Sequence, residues 1–169
     1  MITIEEINSA YSRIKSYIVE TKIYSSEKLN KNYAANIFLK NEVEQLTGSF
    51  KIRGALSALS ALKEEGVEGV VAFSSGNHAQ GVSKAAQIFD MKSIIVMPKD
   101  APTNKIKKTK SNGAEVILYT RHIESREKIA EKIFIEFKNN KLPDVGSQIG
   151  RKTSEPLQNR KTLLKNVER

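Results

Sequence analysis

Three features of the 169-residue sequence predict an α/β fold, with a parallel twisted sheet and helices on both faces. Short apolar runs recur at Gly69–Phe73, Ser93–Met97 and Ala114–Leu118, as strands buried on both sides require. The segments between them repeat apolar residues at three- and four-residue steps, the period of an amphipathic helix. Glycine and proline stand at the joints: Gly66 and Gly113 are placed as helix C-caps, and Pro102 suits a first helical turn. Strands and helices in this order close by right-handed crossovers into a parallel sheet.

Thr3 and Glu6 have capping-box spacing, and Ile4, Ile7, Tyr11, Ile14 and Ile18 then share one face, which predicts a helix from Ile4 to Ile18. After a polar stretch, Asn36–Lys40 reads as a short strand that opens the alternating series. Ile52, Ala55, Leu56, Leu59 and Leu62 mark the inner face of a helix ending at Gly66. Val82, Ala85, Ala86 and Phe89 mark the next, and Ile129, Ala130, Ile133, Phe134 and Phe137 a last one from Glu124 to Phe137. Three parts follow: residues 1–35, an N-terminal helix and linker; residues 36–137, an α/β domain; and residues 138–169, a polar basic tail outside that pattern.

Composition narrows the chemistry. With no cysteine there is no disulfide framework, thiolate metal site or cysteine nucleophile. The first residues are polar and acidic, and no apolar run approaches the ~18 residues of a membrane span, so a soluble, untargeted, cytoplasmic protein without a membrane partner is expected. The net charge is +9, and residues 138–169 hold 8 basic and 3 acidic residues. That tail has no aromatic residue to stack a base, so a solvated end is expected rather than a nucleic-acid arm. His122, beside Arg121, has no metal-ligand spacing to His78, and no metal site is expected. Lys105, Lys107, Lys108 and Lys110 read as a solvated helix face.

Two strand–helix junctions carry the chemistry. Gly48-Ser-Phe-Lys-Ile-Arg-Gly-Ala55 sets Lys51 at the entrance of a helix, where partial positive charge disfavours a protonated amine, making it a candidate imine-forming lysine. Phe73-Ser-Ser-Gly-Asn-His-Ala-Gln-Gly81 follows a strand with hydroxyls, a glycine and an amide. It suits an anion bound by backbone N–H groups, or else an ordinary Ser/Asn cap, and it lacks the spacing of a P-loop.

Taken with Leu39–Gly48, Val96-Met-Pro-Lys-Asp-Ala-Pro102, Lys105 and Gly113-Ala-Glu-Val116, these loops resemble the serine/threonine dehydratase (threonine ammonia-lyase) and serine racemase family. These are pyridoxal-phosphate enzymes of fold type II, the tryptophan-synthase-beta-like fold. The likeness runs over about residues 1–137. It implies that Lys51 is covalently joined to pyridoxal 5'-phosphate, that Phe50 packs on its ring, and that Asn77 binds the ring's 3'-oxygen. Ser75, Gly76, Asn77 and His78 would hold the substrate carboxylate, and in the racemase branch the residue matching Ser75 also exchanges a proton. Arg53 and Gly54 would be structural. The implied reaction turns L-threonine or L-serine into a 2-oxo acid and ammonia.

The sequence also departs from that family, whose members are about twice as long. No run of three or four glycines is present to cradle the cofactor phosphate, and Val19-Glu-Thr-Lys-Ile23 places Lys22 where a proline is usual. A truncated enzyme is therefore expected, as a homo-oligomer or paired with a separately encoded second half. The alternatives are an inactive remnant acting as a binding or regulatory module, and a serine racemase-like activity.

Overall fold

The computed structural model describes residues 2–138 and Leu163–Leu164. Helix α1 (Ile4–Ile14) opens on the predicted capping box: Thr3 Oγ1 accepts the Glu6 N–H at 3.2 Å, and Glu6 Oε2 accepts the Thr3 N–H at 2.8 Å. The helix ends a turn earlier than the periodicity predicts. A turn follows, closed by Tyr17 N–H on the Ile14 carbonyl, and Tyr17 meets Phe89 edge-on with ring centroids 5.2 Å apart. Ile18 still packs on the core, but Ile4, Ile7 and Tyr11 stay exposed.

The polar stretch contains two elements that its sequence does not signal, β1 (Ile23–Ser25) and α2 (Glu27–Tyr33), the latter capped by Ser26. The run at Asn36–Lys40 does not head the parallel series. As β2 (Phe38–Lys40) it pairs antiparallel with β1 in a separate two-stranded ribbon, Ile23 opposite Lys40 and Ser25 opposite Phe38. Three-residue strands exposed along their length carry no burial pattern that could reveal the pairing in advance.

From Lys51 onward the predicted alternation holds: α3 (Lys51–Glu64), β3 (Gly69–Phe73), α4 (Asn77–Ile88), β4 (Lys92–Pro98), α5 (Thr103–Ser111), β5 (Glu115–Tyr119) and α6 (Arg126–Lys138). Gly66 and Gly113, with φ of 80° and 84°, take the left-handed turn that ends α3 and α5. The sheet runs β5-β4-β3-β6, all parallel, where β6 (Leu163–Leu164) pairs with Val70 and Val71. Apart from these two residues, the predicted basic tail lies outside the described residues.

Alternate side chains of the strands feed two cores. Val70, Ala72, Ile95 and Met97 pack under α3 and α4, while Val71, Phe73, Ile94 and Val96 pack under Ala130 and Ile133 of α6. The central strands are covered on both faces, which is why they read as unbroken apolar runs. No described helix is long and apolar enough to cross a membrane.

Candidate functional site

Parallel strands deliver their loops to one end of the sheet, and β3 hands over there to α4. Helix α3 enters at the same end, and the two helices touch at Gly81. A Cβ built on that glycine would stand 3.1 Å from the Lys51 carbonyl oxygen and 3.3 Å from the Ile52 nitrogen. Lys51 thus opens α3 directly beside the first turns of α4. An apolar cavity of about 320 Å³ runs between α3 and β3, walled by Ala55, Ala58, Leu59 and Val71, with Phe50, Lys51 and His78 at the end nearest the loops.

Helix ends here differ from those elsewhere in the chain. Helices α1 and α2 carry side-chain caps and first-turn acids. Helices α3, α4 and α5 have no side-chain cap hydrogen bond and no acidic residue in the first turn. The Ser74 hydroxyl accepts the Gly76 N–H at 3.3 Å, within the loop, so α4 begins uncapped on Gly76. Of the two readings left open by the sequence, the ordinary cap is not what the structure contains. The positive ends of these helices thus carry neither a side-chain cap nor a neighbouring acid among the described residues.

The predicted residues Phe50, Lys51, Ser75, Gly76, Asn77 and His78 all fall at this end of the sheet. Lys51 is half-buried, its Nζ 5.1 Å from the centroid of the exposed Phe50 ring. Ser49, two residues before it, is buried with its hydroxyl unpartnered among the described residues. A primary amine, an aromatic face, an orphaned hydroxyl, an amide and uncapped N–H groups are a donor set that fits an aldehyde cofactor bearing anionic groups. Among the described residues no group of three or more His, Cys, Asp or Glu gathers as a metal site would require.

Burial, and secondly the positive charge of Lys51, hold the His78 imidazole below its ordinary 6.5. The unfolded chain therefore takes up this proton first as pH falls through 6.5, and stability is lost from there downward. His78→Gln is expected to flatten that limb of a Tm-against-pH curve; superimposable curves would contradict the assignment.

A polar knot braces the lysine loop. Arg53 clamps Glu42 with Nε and Nη2, both at 2.8 Å, and the Thr21 hydroxyl donates to the same carboxylate at 2.7 Å. Buried Gln45 grips Val19 by donating to its carbonyl and accepting its N–H at 3.2 Å, and Lys40 Nζ donates to the Thr21 carbonyl. The stretch around Lys22 is therefore fastened from the side chains opposite. The Arg53 hydrogen bonds hold the Glu42 carboxyl below its usual 4.5. Since that carboxylate is only 18% exposed, Arg53→Met is expected to cost about 2 kcal/mol in urea unfolding, the penalty of a stranded charge. That difference should shrink as pH falls below 4.5 and Glu42 protonates.

The sequence assigns no individual site role to Lys105 or Ser49. Lys105 has the sequence of a solvated helix face, yet its Nζ donates to the Asn77 side-chain oxygen, and Ser49 carries no signal beyond its place in the lysine motif. Besides its place among the segments that carry the family resemblance, the placing of Lys105 in a first helical turn is a local signal of the former.

Comparison with known proteins identifies the family. The sequence pattern of the family described as pyridoxal-phosphate dependent enzyme matches residues 14–149. The chain is 44% identical to a serine racemase of Schizosaccharomyces pombe over 132 residues, covering 78% of this chain and 41% of that protein. It is 50% identical to an L-threonine ammonia-lyase of Thermotoga maritima over 119 residues, covering 70% and 30% respectively. The crystal structure of serine racemase from Dictyostelium discoideum superposes with a TM-score of 0.74 at 35% identity, covering 80% of this chain and 44% of that one. The chain thus spans less than half the length of each of these relatives. The fold, the paired loops and these likenesses together make it a member of the pyridoxal-phosphate-dependent enzyme family.

Proposed function

We propose that this chain carries the cofactor-binding lysine of an enzyme that deaminates L-threonine or L-serine to a 2-oxo acid and ammonia through loss of the β-hydroxyl. The observation that carries the reading is Lys51, half-buried at the head of α3 where the uncapped α4 meets it. Lys51 would hold pyridoxal 5'-phosphate and, once released by the substrate amine, take the α-proton on its Nζ. Phe50 would lie on the ring and Asn77 would donate to its 3'-oxygen. Ser75, Gly76 and His78, with the first N–H groups of α4, would hold the substrate carboxylate. A neutral His78 suits that role, since it can donate one hydrogen bond without adding a proton to the site.

When bound, the cofactor supplies an electron sink for the electrons of the broken α-C–H bond. The β-hydroxyl would then leave as water with one added proton, for which Lys51 Nζ holds the one taken from the α-carbon, and hydrolysis would return one water to give the 2-oxo acid and ammonia. A racemase-like activity is the second reading, favoured by the 44% identity to a serine racemase. Exposed Ile4, Ile7, Tyr11 and Phe38 offer apolar surface on which a second chain bearing the rest of the enzyme could complete the site.

Borohydride reduction after incubation with pyridoxal 5'-phosphate, followed by peptide mass spectrometry, tests the proposal. A pyridoxyl adduct concentrated on Lys51 is expected. Adducts spread evenly over surface lysines would instead favour an inactive remnant that serves as a binding module.

A further inference from the structure

We propose that Lys105 is a positioning residue that fixes the Asn77 amide as a hydrogen-bond donor toward the ligand held at Lys51; this rests on the reading of Lys51 as the cofactor lysine. Of Lys105, Lys107, Lys108 and Lys110, Lys105 alone is half-buried. Lys105, Thr109 and the C-cap residue Asn112 recur at four- and three-residue steps and so line one side of α5 and its end. Thr109 is buried, its hydroxyl donating to the Lys105 carbonyl at 2.8 Å. Asn112 Nδ2 donates to Ser83 Oγ at 3.0 Å, and Lys105 Nζ donates to Asn77 Oδ1. Asn77 and Ser83 both lie on α4, so the two helices meet along a seam pinned at each end. The seam, rather than the flexible lysine stem, decides where Nζ stands.

An ammonium can only donate, so it engages the amide oxygen of Asn77 and leaves Nδ2, with its two N–H donors, turned away from Lys105. A lysine in the first turn of α5 also opposes that helix's dipole, and no acid in the turn offsets it. The charge is therefore not placed for the stability of α5. What it adds is a second positive centre beside the amide. A ring oxygen bound by Asn77 Nδ2 would be held in its deprotonated form, because both the donor and the nearby charge favour the anion.

The full chain is compared with Lys105→Met and Lys105→Arg, with the exposed Lys107→Met as control. In ligand-free protein, the Asn77 side-chain N–H resonances, assigned with Asn77→Asp, are expected to move in Lys105→Met and to stay in Lys107→Met. With pyridoxal 5'-phosphate added, Lys105→Met is expected to shift absorbance from the visible toward the near ultraviolet and to retain the cofactor about tenfold less tightly, with Lys105→Arg restoring most of both. Unmoved Asn77 resonances, or an unchanged absorption spectrum with the cofactor attached at Lys51, would overturn the proposal. Should the wild-type chain form no adduct at Lys51, the proposed function fails, and the ligand-free resonances alone decide the role of Lys105. Lys105→Gln replaces the methionine variant if circular dichroism shows that the latter has lost helix.

Discussion

Lys51→Ala is expected to abolish the borohydride-trapped adduct while leaving the fold in place. Lys51 is the first residue of α3, where alanine is well tolerated, and its side chain is only half-buried, so unfolding stability should change by no more than about 1 kcal/mol. Removing the ammonium also takes away one of the two influences holding His78 below its ordinary value, so the acid limb of stability attributed to His78 should weaken in this variant. Lys51→Arg separates the two effects. It keeps the positive charge, and with it the His78 behaviour, but offers no primary amine for attachment. Equal adduct yield in wild type and Lys51→Ala, with the label on other lysines, would remove the chemical basis of the proposed function.

Gly81→Val is expected to cost about 3 kcal/mol and to reduce labelling of Lys51 at the same time. A Cβ at this position is crowded, because the nearest atoms, the Lys51 carbonyl oxygen at 3.1 Å and the Ile52 nitrogen at 3.3 Å, are backbone of the first turn of α3 and cannot swing aside as a side chain can. The turn must shift, and fully buried Ile52 resists that shift because it is locked in the core. Gly81→Ala should show a smaller loss of about 1 kcal/mol in the same direction. Gly54 serves as the contrast. It is exposed on α3 with nothing within 4 Å of a built Cβ, so Gly54→Ala should gain up to about 1 kcal/mol from helix propensity. Urea unfolding of the three variants checks the order, and a destabilised Gly81→Val that still labels Lys51 fully would show that the close approach serves packing alone.

Much of the site is legible in the sequence. Lys51 heads a helix and Ser74–Gly76 join a strand to one, and a helix start is a local feature marked by a change of period and by small residues, although a 3-10 turn at Glu42–Glu44 separates Lys51 from the strand expected before it. The absence of a cap on α4 is not legible there. Ser74 and Ser75 are both cap-forming types, and only the loop geometry turns the Ser74 hydroxyl inward to Gly76. The same holds for the amphipathic stripe of α1. Its periodicity is real, but periodicity says which face is apolar and not what lies against it, and Ile4, Ile7 and Tyr11 remain uncovered.

The sequence by itself determined β3 to β5, the helices α3 to α6 and the α/β class, because burial on both faces and helix end signals are written within a few neighbouring residues. Only the tertiary structure decided the β1–β2 ribbon, the Arg53–Glu42 clamp, the meeting of Gly81 with Lys51 and the bond from Lys105 to Asn77. These join residues 11 or more positions apart in the chain, and such partners are chosen by the packing of whole elements, which no local pattern encodes.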